Sequence, residues 1–575
     1  MATAQHLVTR TLVVGAAAAL LGSCAQPLQP DLKATAPRLD GFGSLPSAAA
    51  ISSASPAARQ RFADASLQAY AFNEAEAVRM FKAALAADPA CAMCAWGVAW
   101  QLGPNINAPQ RGDMRQAERY ADLALRNAAL APDLSARERA LIEAMALRVG
   151  HASTARETAP LRAAVCSSSG GDPDARRDPL EQAYADRLYQ LLQRWPDDAD
   201  LLSLWAEAEM VATSGDWFDD KTGRYAARLG EVADRLERAL QAQPAHTGLN
   251  HYLIHVTDTR AQAHRAVAAA DRLGALAPKA PHLVHMPAHT YAHVGRYADA
   301  TRVNQQAVAL DVELADLQKA QGFSVSKDWR NHNQHFQWFG ALMEGRGDLA
   351  LAAARELATR NAARKSPYAD YLRALPALTL LRLERWDALL AEPPPVDQSG
   401  LGRVLHGHAR GIAQLRRQDL PAALKTLAEA AEANAQVARG HAEEKGFDAW
   451  LRKTGDGAIA RLLGEIALTQ GQPEAALAQL QQAAEAMRES DENEPPLMAA
   501  GAGVMLADLQ LRSAQPAQAE ATLRDDLKAW PNSGWALRGL LRAAQAQGQA
   551  AAAADWGRQL AAAWPLADAA LKDAR

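Results

Sequence analysis

A recurrence of about 34 residues, the length of one helix–turn–helix unit, constrains this chain more than any other feature. Small residues, large apolar residues one turn further on and a closing proline return in one frame. Ala77, Phe81, Ala84 and Pro89 set it, and Tyr184, Leu188, Leu191 and Pro196 follow it. Val232, Leu236, Ala239 and Pro244 fit again; Ala266, Ala270, Leu273 and Pro278 lie one period further on, and Ala300 continues the series. The frame resumes at Phe336, Phe339, Gly340, Gly347 and Ala352 and recurs around Gly411/Ala423 and Gly464/Ala476. It ends with Pro531 and Pro565, again one period apart. Such a unit buries its apolar face only against its neighbours, so the expected fold is all-α, an α-solenoid of helix–turn–helix repeats. The abundance of Ala, Leu, Arg, Glu and Gln favours helices, and 575 residues exceed what one compact core encloses.

The chain divides by composition. Residues 1–23 read as an export signal: Arg10 is the only charge, and TLVVGAAAALL is too short to span a bilayer. Leu21-Gly22-Ser23-Cys24 resembles the lipobox of bacterial lipoproteins, which implies cleavage before Cys24, acylation there and a stable membrane anchor. Ala25 and Gln26 follow in place of a retaining Asp, which points to the outer membrane, facing the periplasm; the alternative is an ordinary signal peptide with a chance cysteine. Residues 24–56, rich in Pro, Ala and Ser, read as a disordered tether. Residues 57–390 form an N-terminal solenoid, 391–400 a Pro-rich linker and 401–575 a C-terminal solenoid. A net charge of −4 with no basic block argues against nucleic acid as a partner.

Ten of the 15 histidines fall between His246 and His335, where an even spread would place about two. His251 and His285 are one period apart, as are His255 and His289, so equivalent helices carry the same i, i+4 pair. The stretches DPACAMCAWGVAWQLGPNIN, NHYLIHVTD, HLVHMPAHTYAHVGRY and NHNQHFQWFGALMEGR resemble a family of exported bacterial tetratricopeptide (TPR) proteins with His-rich repeats. The resemblance covers about Phe72 to Arg346 and implies fold and export rather than a reaction. Placing Ala300 at position 20 of such a repeat puts His282, His285, His289 and His293 at positions 2, 5, 9 and 13 of its first helix, on the concave wall. His251 and His255 take positions 5 and 9 one repeat earlier, with Asp258 close behind.

Six imidazoles on one wall can converge on a transition metal, and imidazole-rich sites suit Cu, Zn or Fe. His332, His335, Asp258 and Glu344 are possible extra ligands. Storage, delivery or metal-dependent chemistry would follow. The same pattern also suits a metal-free groove for a protein or peptide partner in the cell envelope, or plain helix packing. Trp96, Trp100 and Tyr291 are candidates to line a ligand groove, and Cys91 and Cys94 are either a local disulfide or a soft-metal pair. HExxH, GxSxG, Walker and dinucleotide motifs are all missing from the sequence.

Overall fold

The computed structural model describes residues 40–45, 50–107, 112–154, 179–213, 217–219, 222–322, 329–395, 400–440, 447–490, 495–497 and 502–573. The export signal, Cys24, most of the tether and Cys166 lie outside the described residues. Among the described residues nearly every element is a helix, and the exception is a two-residue antiparallel ribbon, Phe218–Asp219 with Arg224–Tyr225. No helix among them is long and apolar enough to cross a membrane.

Helices pair antiparallel through one recurring turn. The first helix of a pair ends in a left-handed residue, and the amide after it reaches back five residues. Arg296 N–H donates to Tyr291 O at 2.8 Å, Arg346 to Ala341 at 2.8 Å, and Gln549 to Ala544 at 2.9 Å. This Schellman closure satisfies carbonyls that the helix end leaves open. Gly150, Gly295, Gly345, Gly471 and Gly548 hold the left-handed position, while Phe72, Glu384, Gln418 and Ala514 hold it elsewhere. The Thr247–Val256 and Pro281–His285 helices start one sequence period apart, as do Pro516–Ala529 and Ala550–Ala563. The fold is therefore a TPR-type α-solenoid.

Packing is continuous across the Pro-rich stretch at 391–400. One apolar cluster joins Leu380 and Leu381 to Ala409, Ile412 and Ala413, and another joins Leu342 and Leu375 to Trp535 and Trp564. The last repeats also fold back on the middle of the chain. The indoles of Trp535 and Trp564 donate to Leu342 O (2.9 Å) and Met343 O (2.8 Å), and Asp568 N–H donates to Gly345 O (3.0 Å). They thus cap the C-terminal carbonyls of the Arg330–Met343 helix.

That helix lies very close to Tyr297–Ala320. A Cβ on Gly340 would stand 2.6 Å from Thr301 Oγ1 and 3.1 Å from Thr301 N. Gly340→Val should therefore cost about 1–3 kcal/mol through overpacking. Urea denaturation should show a lowered midpoint; an unchanged midpoint would refute the close approach.

Candidate metal centre

Four elements carry the imidazoles. Thr247–Val256 supplies His251 and His255, Pro281–His285 supplies His282 and His285, Pro287–His293 supplies His289 and His293, and Arg330–Met343 supplies His332 and His335. The middle two would be one helix but for Pro287, which has no N–H to continue the ladder. His282 joins His251 and His255 to form one triad, and His285 and His289 join His332 to form another. Within each triad the three ligand atoms lie within 4.8 Å of one another. The rings of His282 and His285 are 6.1 Å apart, so the triads are neighbours. Convergence on a single ion, the sequence expectation, gives way to two adjacent sites, because Arg330–Met343 supplies the sixth ring.

In the first triad His251 Nε2 is 3.0 Å from His255 Nε2 and 3.1 Å from His282 Nε2. In the second, His285 Nε2 is 3.0 Å from His289 Nε2. The far sides of these two rings are committed. His285 Nδ1 meets Asn304 Oδ1 at 2.7 Å, and Asn304 spends its own N–H on Ala300 O (2.8 Å), so the imidazole must donate. His289 Nδ1 meets the Asp258 carboxylate at 2.7 Å, again as donor. With both Nδ1 atoms donating, the two rings turn their Nε2 atoms towards each other. At that separation either a shared proton or a metal ion can join the two nitrogens.

The setting is buried. His251 and His285 are 0% exposed, His282 5%, His289 7% and His255 8%. The concavity expected to be open is filled. Phe72 packs on His251 (4.5 Å between ring centroids), His282 (5.0 Å) and His255 (5.4 Å). Phe336 packs on His289 (4.5 Å), His285 (4.9 Å) and His332 (5.1 Å). Trp329 touches both triads, through His282 at 5.3 Å and His332 at 6.0 Å. Phe72 takes the left-handed turn position, with φ of 52°, where several other repeats use glycine. A bulky residue there costs on the order of 1–3 kcal/mol, so its ring is held in place by what it covers.

The remaining predicted residues are placed as follows. Asp258 sits behind His289 rather than at the focus of the triad, and also pairs with His293 Nε2 at 3.3 Å, so His293 belongs to neither triad. His335 Nε2 bonds to Tyr371 OH at 2.8 Å and its Nδ1 to Tyr368 OH at 3.2 Å. Glu344 lies beside Arg346, at 3.6 Å, also outside both triads. Tyr291 donates to Asp271 at 2.9 Å and carries the Arg296 guanidinium on its ring. Trp96 and Trp100 are core residues whose indoles donate to Leu141 O (3.1 Å) and Glu207 (2.9 Å), with one side on a cavity of about 90 Å³. Cys91 and Cys94 form a disulfide at the entry to the Ala92–Leu102 helix. Sequence reasoning missed Asn304, Trp329 and Phe72; a phenylalanine at a turn position held by glycine in other repeats was the available signal.

Burial, before any neighbouring charge, lowers the basicity of these rings. His251, His282 and His285 are held well below the usual imidazole value, and His255 is pushed down to about 3. His332 is pushed down to about 3 by the same cause, although it keeps more solvent contact than the others. The rings are therefore neutral, with lone pairs free, near pH 7. In the unfolded chain an imidazole takes up its proton near pH 6.5. Between that pH and about 3 the unfolded state binds more protons than the folded one, so stability falls as pH drops through this window. Chelator-treated protein should show a urea midpoint that is steady above about pH 7 and declines steadily below 6.5. A flat midpoint down to pH 4.5 would contradict neutral burial.

No protein-family profile matches the chain, and no curated protein sequence matches it. Solved structures do. The chain is similar to that titled "Crystal structure of APC/C hetero-tetramer Cut9-Hcn1", at 13% identity over 90% of this chain and 89% of that one, with a TM-score of 0.25. It is similar to yeast Tom70 at 12% identity, 85% and 88% coverage and a TM-score of 0.26. For the P58(IPK) TPR domain the values are 12%, 86% and 99%, and 0.21. The fold assignment rests on this chain's own helix pairs and turns.

Proposed function

We propose that this protein is an exported, lipid-anchored TPR solenoid that holds two transition-metal ions in adjacent three-imidazole sites. His251, His255 and His282 hold one, and His285, His289 and His332 the other. The observation that carries the proposal is the convergence of three ring nitrogens in each of two largely buried triads, those of each triad within 4.8 Å of one another. A metal–imidazole bond of about 2.05 Å in a tetrahedral site sets its nitrogens about 3.3 Å apart. The 3.0–3.1 Å separations need open by only a few tenths of an ångström. Asn304 and Asp258 accept from the far nitrogens of His285 and His289, as acceptors behind metal-ligating imidazoles commonly do.

Three ligands per ion leave a coordination position through which a metal can bind and polarise a small molecule or activate water. The chain's own contribution is to fix the rings, keep them neutral and shield them with Phe72, Phe336 and Trp329. Cu, Zn and Fe all suit such a donor set. A scaffold reading would seat a protein or peptide partner on the concave wall at the imidazoles. There the wall is filled, which favours metal over a peptide.

Elemental mass spectrometry on protein purified without chelator tests the proposal. About two equivalents of one metal per chain are expected. His251→Ala/His255→Ala should lose one equivalent and His285→Ala/His289→Ala the other, with circular dichroism confirming that each variant is folded. Asp258→Asn should weaken the second site alone, by about 10–100-fold in affinity. Metal content that neither double variant changes would defeat the reading.

A further inference from the structure

The first helices of successive repeats in the C-terminal half enclose a second concavity, of about 380 Å³. Its walls carry six guanidinium groups, Arg382, Arg416, Arg461, Arg512, Arg538 and Arg542, against two carboxylates, Glu384 and Asp508. Four of the six are engaged. Arg416 makes a bidentate pair with Glu465 at 3.0 Å, and Arg512 shares that carboxylate at 2.9 Å. Arg538 donates to Glu384 at 2.7 Å and Arg542 to Asp508 at 3.2 Å. The other two keep unmet donors. Nε and Nη2 of Arg382 and Nε of Arg461 are sealed from solvent and have no hydrogen-bond partner. Arg382 instead lies flat on the Trp535 ring, 4.0 Å from its centre.

Buried guanidinium N–H groups without acceptors are costly, and removing such a charge from a core tends to stabilise it. Burial, and then the neighbouring Arg538 and Arg461, pull the Arg382 guanidinium down to about 9 against the opposing pull of Glu384 and Asp526. Even with Glu465 and Asp526 counted behind the wall, six positive charges face four negative ones. Between the guanidiniums the wall is apolar, with Leu378, Ile412, Met505 and Trp535. The volume falls within the range of small-molecule sites.

We infer that this concavity binds a small organic dianion, an apolar frame bearing two carboxylates or one phosphate, with Arg382 and Arg461 as its principal donors. Arginine suits either group, since its planar fork matches both carboxylate and phosphate oxygens. The site is separate from the imidazoles and does not rest on the metal reading.

Isothermal titration of the full chain with phthalate, phenyl phosphate, inorganic phosphate and the neutral benzamide tests this. Saturable binding of phthalate or phenyl phosphate at one per chain is expected, weaker at high salt, with benzamide silent. Preference for one anion names the carboxylate or the phosphate as the group recognised. Arg382→Met and Arg461→Met should each weaken binding at least tenfold, while Arg382→Met melts no lower than the parent without ligand. Should one variant fail to fold, the other reads the same loss. No saturable binding of either organic anion, equal binding of benzamide, or undiminished binding in the folded variants would overturn the inference.

Discussion

Two imidazole nitrogens that face each other at 3.0 Å set the terms for the rest of this site. Asn304 and Asp258 orient the rings of His285 and His289, and burial holds His285 well below the usual imidazole value. Asn304 stands on Tyr297–Ala320 and Asp258 just past the end of Thr247–Val256, so the site exists only when several repeats are stacked in register. Asp258 follows the helix that holds the first triad yet orients a ring of the second, which ties the two triads into one unit. The Schellman turns set the angle of each helical pair, and the close approach at Gly340 brings His332 within reach.

Much of this was legible in the sequence, and the losses have particular causes. The repeating frame marked the units because a solenoid's neighbour-to-neighbour packing demands the same small and large residues in every one. The in-phase pairs at His251/His255 and His285/His289 marked the wall. Their division into two triads was not legible, because it depends on the break at Pro287 and on the packing of the Arg330–Met343 helix. Periodicity also says which face is concave and not what fills it. Phe72 arrives from a repeat far earlier in the chain, a contact made by the superhelix and by no local rule. Trp96 and Trp100 sit at groove positions by counting, but their indoles are spent on Leu141 and Glu207.

The two halves handle buried polar groups by the same physics with opposite signs. In the first, buried imidazoles are packed nitrogen to nitrogen. In the second, guanidiniums are packed so that two lack an anion. Each arrangement costs folding stability, and each is relieved by a ligand of the complementary charge. The C-terminal repeats also cap the helix that carries His332, so the half with the arginines helps to hold one ring of the second triad.

X-ray absorption spectroscopy on the metal-loaded protein tests the central claim most directly. Two three-imidazole sites predict a first shell of about three nitrogens near 2.0–2.1 Å with the outer-shell scattering of imidazole rings. A shell of about six oxygens without imidazole scattering would place the metal elsewhere and contradict the account.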